Sequence, residues 1–197
     1  MIPATKGERT RTAILDQGLR LVSQAGLDGL TIGSLAEATG MSKSGLFAHF
    51  GSREDLLLAV LAHGQAAFTK CVFQPAMKEP RGIPRLRAMF TNWLDWTESA
   101  ELPGGCPMIG GAAEFDDRPG AVRDMLAGGQ RLWIETLKRA VRQAIDEGHL
   151  PEKTDPEQFA FELFGIALVV HHHRRLLGYP KARSRALAAL ERLISQK

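Results

Sequence analysis

The sequence predicts an all-α chain of about nine helices, with an N-terminal three-helix helix-turn-helix domain and a C-terminal helical domain. Three observations carry this. Apolar residues recur at i, i+3 and i+4 through most of the 197 residues. Gly and Pro interrupt that repeat at intervals of a helix length, and no segment alternates apolar and polar residues as a half-buried strand does. No internal repeat or low-complexity segment competes with this reading.

The first helix is expected from about Arg9 to Ala25, where Ile14/Leu15, Gly18/Leu19, Leu21/Val22 and Ala25 share a face before Gly26 ends it. Thr31 caps the second helix, whose inward positions are Ile32, Leu35 and Ala36, and Gly40 stops it in a left-handed conformation. Ser42 caps the third. Leu46 and Phe50 recur one turn apart and pack inward, which leaves Lys43, Ser44, Phe47 and His49 on other faces, open to a major groove or its flanking phosphates. Gly45 in this short helix costs about 1 kcal/mol relative to Ala, offset if the missing side chain lets the helix approach a groove closely.

The fourth helix starts at Ser52, with Glu54 and Asp55 in its first turn, and carries Leu57, Val60/Leu61, Gly64, Phe68 and Cys71 toward Pro75. After a Pro/Gly-bearing linker, Leu86, Met89/Phe90, Trp93/Leu94 and Thr97 mark a fifth helix, broken at Pro103-Gly104-Gly105. Met108 to Phe115 is a short sixth. Asp117 is expected to cap a long seventh near Pro119, with Val122, Met125/Leu126, Gly129, Leu132/Trp133, Leu137, Val141 and Ile145 as its stripe. Asp155-Pro156-Glu157-Gln158 reads as cap, N1 proline and capping-box glutamine of an eighth helix running to Leu177. Leu187, Leu190 and Ile194 mark the ninth. Phe159 to Val170 is apolar on nearly every face and must be covered on several sides; a homodimer through the eighth and ninth helices would cover it.

Composition supports a globular core, with 44% apolar residues and a net charge of only +3. Residues 1 to 56 are neutral, since Lys6, Arg9, Arg11, Arg20, Lys43 and Arg53 balance Glu8, Asp16, Asp28, Glu37, Glu54 and Asp55. Net charge therefore does not argue for nucleic acid. Local charge does, because Lys6, Arg9 and Arg11 face only Glu8 and read as a flexible basic arm. Residues 171 to 197 hold seven Lys/Arg against Glu191 alone, read as a solvated face. Cys71 and Cys106 form no CxxC pair, so neither zinc nor a disulfide framework is indicated, and a reducing cytoplasm fits. The N-terminus lacks a signal peptide's apolar stretch, and Phe159 to Val170 is too short to cross a bilayer; no membrane partner is expected.

No nucleophile elbow, phosphate-binding glycine loop, HExxH or paired carboxylates occur, so no enzyme and no cofactor are expected. His171-His172-His173 point about 100° apart on a helix and do not converge on one ion, so no metal is expected either. Phe68, Met89, Trp93, Trp96, Met108, Phe115, Met125 and Trp133 concentrate large soft side chains in helices four to seven. They suit either a ligand pocket or the core. Trp93 and Trp96 are expected not to face one direction. Cys106, beside a Gly-Gly turn, is either an exposed, reactive ligand-site thiol or a buried one.

Residues 8 to 57 resemble the DNA-binding segment of the TetR/AcrR family of bacterial repressors. The likeness rests on Thr31, Leu35-Ala36, Gly40-Met41-Ser42-Lys43, Leu46-Phe47, His49-Phe50, Ser52-Arg53 and Leu56-Leu57. Gly104-Gly105-Cys106-Pro107, Ala112 to Asp117 and Pro119-Gly120 look like a loop and helix pair of one branch of that family. The resemblance implies that Thr31, Lys43, Phe47, His49 and Arg53 touch the DNA backbone or groove edge. It also implies an effector cavity among helices four to seven. Three departures count: Phe47 stands where the family usually has a Tyr able to bond a phosphate, Gly33 where a basic or polar residue is common, and Gly45 lies inside the recognition helix. The implied protein is a homodimeric, ligand-responsive regulator, a repressor released from a palindromic operator by a small apolar or amphipathic effector. Residues 1–52 would read DNA and 53–197 bind effector and dimerise. A helical carrier or enzyme without a DNA role, a helical adaptor, and a thiol-based sensor acting through Cys106 are the competing readings.

Overall fold

The computed structural model describes residues 5–195. Among these are nine helices and no strand: α1 Lys6–Ala25, α2 Ile32–Thr39, α3 Lys43–Phe47, α4 Arg53–Ala76, α5 Ile83–Thr97, α6 Pro107–Phe115, α7 Ala121–Asp146, α8 Pro156–Arg175 and α9 Ala182–Ile194. They fold as two compact units. The first takes the chain up to Ala66 together with Ala100–Ala127; the second takes Ala67–Ser99 together with the chain from Gly128 onward.

In the first unit α1 packs on α2 and α6, and α2 on α3. Its core is Ile14, Leu19, Val22, Leu27, Leu30, Leu35, Leu46, Phe50, Leu56, Leu57, Val60 and Leu61, all buried. Each buried side chain of this size contributes about 1.5–3 kcal/mol of transfer free energy. That surplus holds helices as short as α2 and α3, which alone would not persist in water. Helix α1 starts earlier than its apolar stripe suggests. Thr5 accepts from the Glu8 N–H at 3.2 Å and the Glu8 carboxylate accepts from the Thr5 N–H at 2.7 Å, a complete capping box. Lys6, Arg9 and Arg11 are therefore helical residues of α1 and not a flexible arm. The Pro103-Gly104-Gly105 break lies against the end of α1: the Gly104 N–H donates to Ser23 Oγ at 2.7 Å, and a Cβ on Gly104 would collide with the Ser23 carbonyl.

In the second unit α5 packs on α8 and α9, and α8 on α9. Helix α4 changes character inside this unit. Thr69–Phe73 is a π turn, in which the Gln74 N–H reaches back to the Thr69 carbonyl. Pro75 has no N–H and crowds the carbonyl four residues before it; a widened turn immediately ahead of it lets the helix continue to Ala76. Asn92 of α5 donates to the Val72 carbonyl at 3.1 Å and so ties the π turn to α5. By length and mean hydropathy Arg53–Ala76 would suffice to cross a membrane. Its buried positions Leu56, Leu57, Val60 and Leu61 instead serve the first unit's core.

One expected cap and one expected capping box are absent. Helix α7 begins at Ala121, after Gly120 at φ 143°, so Asp117 does not cap it. Asp155 does cap α8, accepting from the Glu157 N–H at 2.8 Å, but Gln158 turns outward to Glu162 at 2.7 Å and closes no capping box. Helix α9 begins at Ala182, five residues before its expected first stripe residue, because the small buried Ala182 and Ala186 extend its inner face. The basic C-terminal segment is partly neutralised: Arg183 bonds Asp95 at 2.6 Å and Glu98 at 3.3 Å, and Arg174 bonds Glu98 at 3.0 Å, while the segment's own acid, Glu191, pairs with Arg87.

Candidate nucleic-acid interface and aromatic cluster

Helices α2 and α3 are capped by their own sequence. Thr31 Oγ1 accepts from the Ser34 N–H at 3.0 Å while the Ser34 hydroxyl accepts from the Thr31 N–H at 3.0 Å, a reciprocal box made by two hydroxyls. Gly40 sits at φ 65°, ψ 17°, the left-handed stop its position demands. Ser42 Oγ accepts from the Gly45 N–H at 3.1 Å and lies 3.2 Å from Ser44 Oγ. Helix α3 then presents two faces. Leu46 is 0% exposed and the following Phe50 is 2% exposed, whereas Ser42, Lys43 and Ser44 are exposed and Phe47 is 53% exposed. A large aromatic left in water on a five-residue helix is the most conspicuous feature of this surface. A Cβ on Gly45 would stand 3.2 Å from Ser42 Oγ, so this glycine protects the cap.

His49 closes the interface. Its carbonyl accepts from Arg11 Nη1 at 2.9 Å, and the Arg11 guanidinium lies 4.7 Å above the Phe50 ring. Arg11 thus fixes the end of α3 from α1. Arg53 is similarly engaged: its Nε donates to the Leu30 carbonyl at 3.2 Å and its Nη2 to the carbonyls of Leu27 and Asp28 at 3.1 and 3.2 Å. From the other side Glu114 of α6 accepts from the N–H groups of Leu27 and Asp28 at 3.1 and 3.0 Å. The Leu27–Leu30 turn between α1 and α2 is therefore held by a cation from α4 and a carboxylate from α6. The Arg118 guanidinium 2.6 Å from Asp28, helped by Arg53, holds the Asp28 carboxyl below the ordinary carboxylate range. Sequence spacing alone did not reveal Arg11, Glu114 or Arg118, because their partners are backbone atoms or residues up to 90 positions away.

The nine pocket candidates divide between the units. Cys106, Met108, Phe115 and Met125 belong to the first. Cys106 is 3% exposed, so its thiol is shielded from an electrophile, which counts against the sensing alternative. Phe115 lies under the Arg118 guanidinium at 5.1 Å. Phe68, Met89, Trp93, Trp96 and Trp133 belong to the second unit. There Phe68 meets Trp96 and Trp133 edge-on, with ring centroids 5.9 and 4.9 Å apart. Trp93 meets Trp133 at 5.7 Å and Phe164 of α8 at 5.5 Å. Trp93 and Trp96 join the same cluster, contrary to expectation, because residues three apart on a helix are neighbours on one face. Phe164 was not foreseen.

A cavity of about 170 Å³ lies beside Met89, lined also by Phe73, Met77, Arg85, Thr136, Arg139, Ala140 and Gln143. His171, half-buried on α8, is held below the ordinary imidazole range by burial, with the Arg175 and His172 charges adding to it. Of the three successive histidines, His172 and His173 have ring centroids 6.1 Å apart, and His173 also packs edge-on against Tyr179 at 5.9 Å.

Residues 14–60 match the family model described as bacterial regulatory proteins, tetR family, and residues 82–190 match that of a tetracyclin repressor-like C-terminal domain. The HTH-type transcriptional repressor ComR of Escherichia coli is 27% identical over 151 residues, 76% of this chain and 72% of that protein. The HTH-type transcriptional repressor AcnR of Corynebacterium glutamicum is 34% identical over 74 residues, covering 38% of this chain and 39% of that one. Among solved structures, a TetR transcriptional regulator from Chloroflexus aurantiacus superposes with a TM-score of 0.88 at 24% identity, over 98% of this chain and 97% of that one. AibR, solved in complex with isovaleryl coenzyme A and operator DNA, superposes at 0.75 and 24% identity over 95% and 100% of the two chains. The capped α2–α3 pair with its exposed reading face, and the two family models that between them take in both units, lead to one assignment: the chain belongs to the TetR family of DNA-binding transcriptional regulators.

Proposed function

We propose that this regulator acts in the cytoplasm as a homodimeric repressor, with α3 of each protomer in successive major grooves of a near-palindromic operator. Its contacts come from Thr31, Ser42, Lys43, Ser44, Phe47 and His49, with Gly45 allowing close approach. The observation that carries this is the division of α3 into a buried face and an exposed one on which Phe47 stands open. Arg53, committed to three backbone carbonyls, holds the turn that leads into α2 and reaches a phosphate only with what remains of its donors. In this reading residues 1–52 form the DNA-reading domain and 53–197 the effector-binding and dimerisation domain, a division by role that differs from the packing units.

Dimerisation is assigned to α8 and α9. Helix α8 buries Phe159, Ala160, Leu163, Ala167 and Val170 within the chain, yet leaves a second apolar face open. That face carries Phe161, 72% exposed, then Leu168, Val169 and Leu176, and includes Gly165, where an added Cβ would meet nothing within 4 Å. A twofold axis would place this stripe on its own copy.

A small apolar or amphipathic effector is assigned to the aromatic cluster, and its binding lowers DNA affinity. One connection supports the coupling. Helix α4 runs without interruption from Arg53 to Phe68 and on through the π turn. The test is selection of bound duplexes from a random pool. Enrichment of two inverted half-sites about one helical turn apart supports a dimer with two reading heads; enrichment of a single half-site, or of none, contradicts it.

A further inference from the structure

Helix α3 carries one large apolar side chain that its own fold leaves half open. Phe47 is 53% exposed, and among the described residues no other ring and no cation stacks on it. Phe50, by contrast, is 2% exposed and lies under the Arg11 guanidinium. Phe47 shares its outward face with Ser44 and Ala48, both exposed. The hydroxyls of this surface are engaged locally: Ser42 Oγ accepts from the Gly45 N–H at 3.1 Å and lies 3.2 Å from Ser44 Oγ. Lys43, one turn before Phe47, leans toward the first turn of α2, where its Cε lies 4.0 Å from the point that a Cβ on Gly33 would occupy. A longer side chain at position 33 would stand in that path. The cation of α3 is thus carried toward α2, and the open ring is left to face whatever α3 meets.

We propose that Phe47 reads the C5-methyl group of a pyrimidine in the major groove, one thymine in each half-site. The inference rests on the DNA-reading role of α3 and assigns a base to it. A benzene ring has no hydrogen-bond donor or acceptor to offer a phosphate or a base edge. What the major groove holds for such a ring is the thymine C5-methyl, the one apolar group among the base edges there. Pressing the two together removes apolar surface of both from water. The same ring against the other base edges would strip water from their donors and acceptors and return no bond. Lys43, directed to α2, serves the backbone, a contact that sets register and carries no sequence. The glycine at 33 and the phenylalanine at 47 therefore act together, the first moving the charge to the backbone and the second turning an apolar ring to the base. Because 5-methylcytosine carries the same methyl at the same place, the site reads that base as well.

The experiment uses the full-length protein and the duplex enriched from the random pool. Each thymine is replaced in turn by deoxyuridine, which keeps every hydrogen-bonding group and lacks only the methyl. Anisotropy titration of the parent should find one position per half-site where replacement weakens binding about fourfold, and about fifteenfold when both half-sites are changed. Phe47→Ala should bind the thymine duplex more weakly and no longer distinguish it from the uracil duplex. Phe47→Tyr keeps the ring and should keep the distinction, which separates the methyl contact from any bond to phosphate. At the same position 5-methylcytosine should bind about fourfold tighter than cytosine. Phe47 is exposed, so circular dichroism of Phe47→Ala should match the parent; if it does not, Phe47→Gln takes its place. A parent that binds the duplex yet is indifferent to every uracil replacement overturns the proposal and leaves DNA reading intact. A uracil penalty that persists undiminished without the ring also overturns it, by assigning the methyl to another side chain or to duplex shape.

Discussion

Replacing Arg53 by Lys separates a structural role from a DNA contact. Arg53 donates to the carbonyls of Leu27, Asp28 and Leu30 at 3.1–3.2 Å and lies 3.3 Å from Asp28 Oδ1. A charged donor on a carbonyl is worth about 1.5–3 kcal/mol when dry, but this side chain is 45% exposed, so water recovers much of it. About 0.5–1 kcal/mol for each of the three carbonyl bonds is the appropriate scale, and the exposed ion pair adds little. A lysine ammonium has no planar fork and keeps about one of those bonds. The variant should lose roughly 1–2 kcal/mol, which for a chain of this length lowers Tm by about 2–8 °C. Its charge is unchanged, so the salt dependence of DNA binding should stay within error. Thermal unfolding followed by circular dichroism, with anisotropy titrations on one duplex at several salt concentrations, reads both. An unchanged Tm together with weakened duplex binding would refute the clasp and return Arg53 to the phosphates.

Lys43→Ala should weaken duplex binding several-fold and reduce the salt slope by about one with Tm unchanged; equal affinity for variant and parent removes Lys43 from the contact set. Phe47→Tyr should tighten binding, since the exposed ring would gain a hydroxyl for a phosphate, and no gain in titration means that phosphate is out of reach. Phe161→Glu removes about 100 Å² or more of apolar contact from each protomer, at about 25 cal/mol/Å². The dimer Kd should rise at least about a hundredfold by sedimentation, and an unaltered dimer would take α8 out of the interface. His171 is held below its ordinary pKa by burial, so the folded protein protonates it later than the unfolded chain as pH falls. Its contribution is full above the unfolded pKa of about 6.5 and is lost as pH drops from there toward the lowered folded value. His171→Gln should flatten that acid limb of Tm against pH, and an identical limb would show that other groups set it.

The helices were legible because their signals are local. Caps at Thr31, Ser42 and Asp155 and the stop at Gly40 need only a few neighbouring residues, and each stands as the sequence indicates. The misplaced features depended on more distant information. Asp117 looked like a cap by composition, but Gly120 takes the chain through positive φ before α7 begins. The clasp on Leu27–Leu30 joins residues 23 to 87 positions apart, most of them through backbone atoms that carry no sequence signal. The aromatic candidates were visible as a group, yet periodicity could not divide them between two packing units or show that Trp96 and Trp133 lack acceptors. Cys106 illustrates the same limit, since a Gly-Gly turn suggests exposure, whereas packing buries the thiol.

The central claim is that one protein couples DNA reading by α3 to occupancy of the second unit's aromatic cluster. The direct measurement is a reciprocal titration on the full-length protein. Affinity for the selected duplex is determined with and without a saturating ligand found through tryptophan fluorescence, and affinity for that ligand with and without saturating duplex. The account predicts that each partner weakens the other by the same factor, corresponding to about 1–3 kcal/mol of coupling. Ligand and DNA affinities that are each indifferent to the other partner would contradict it.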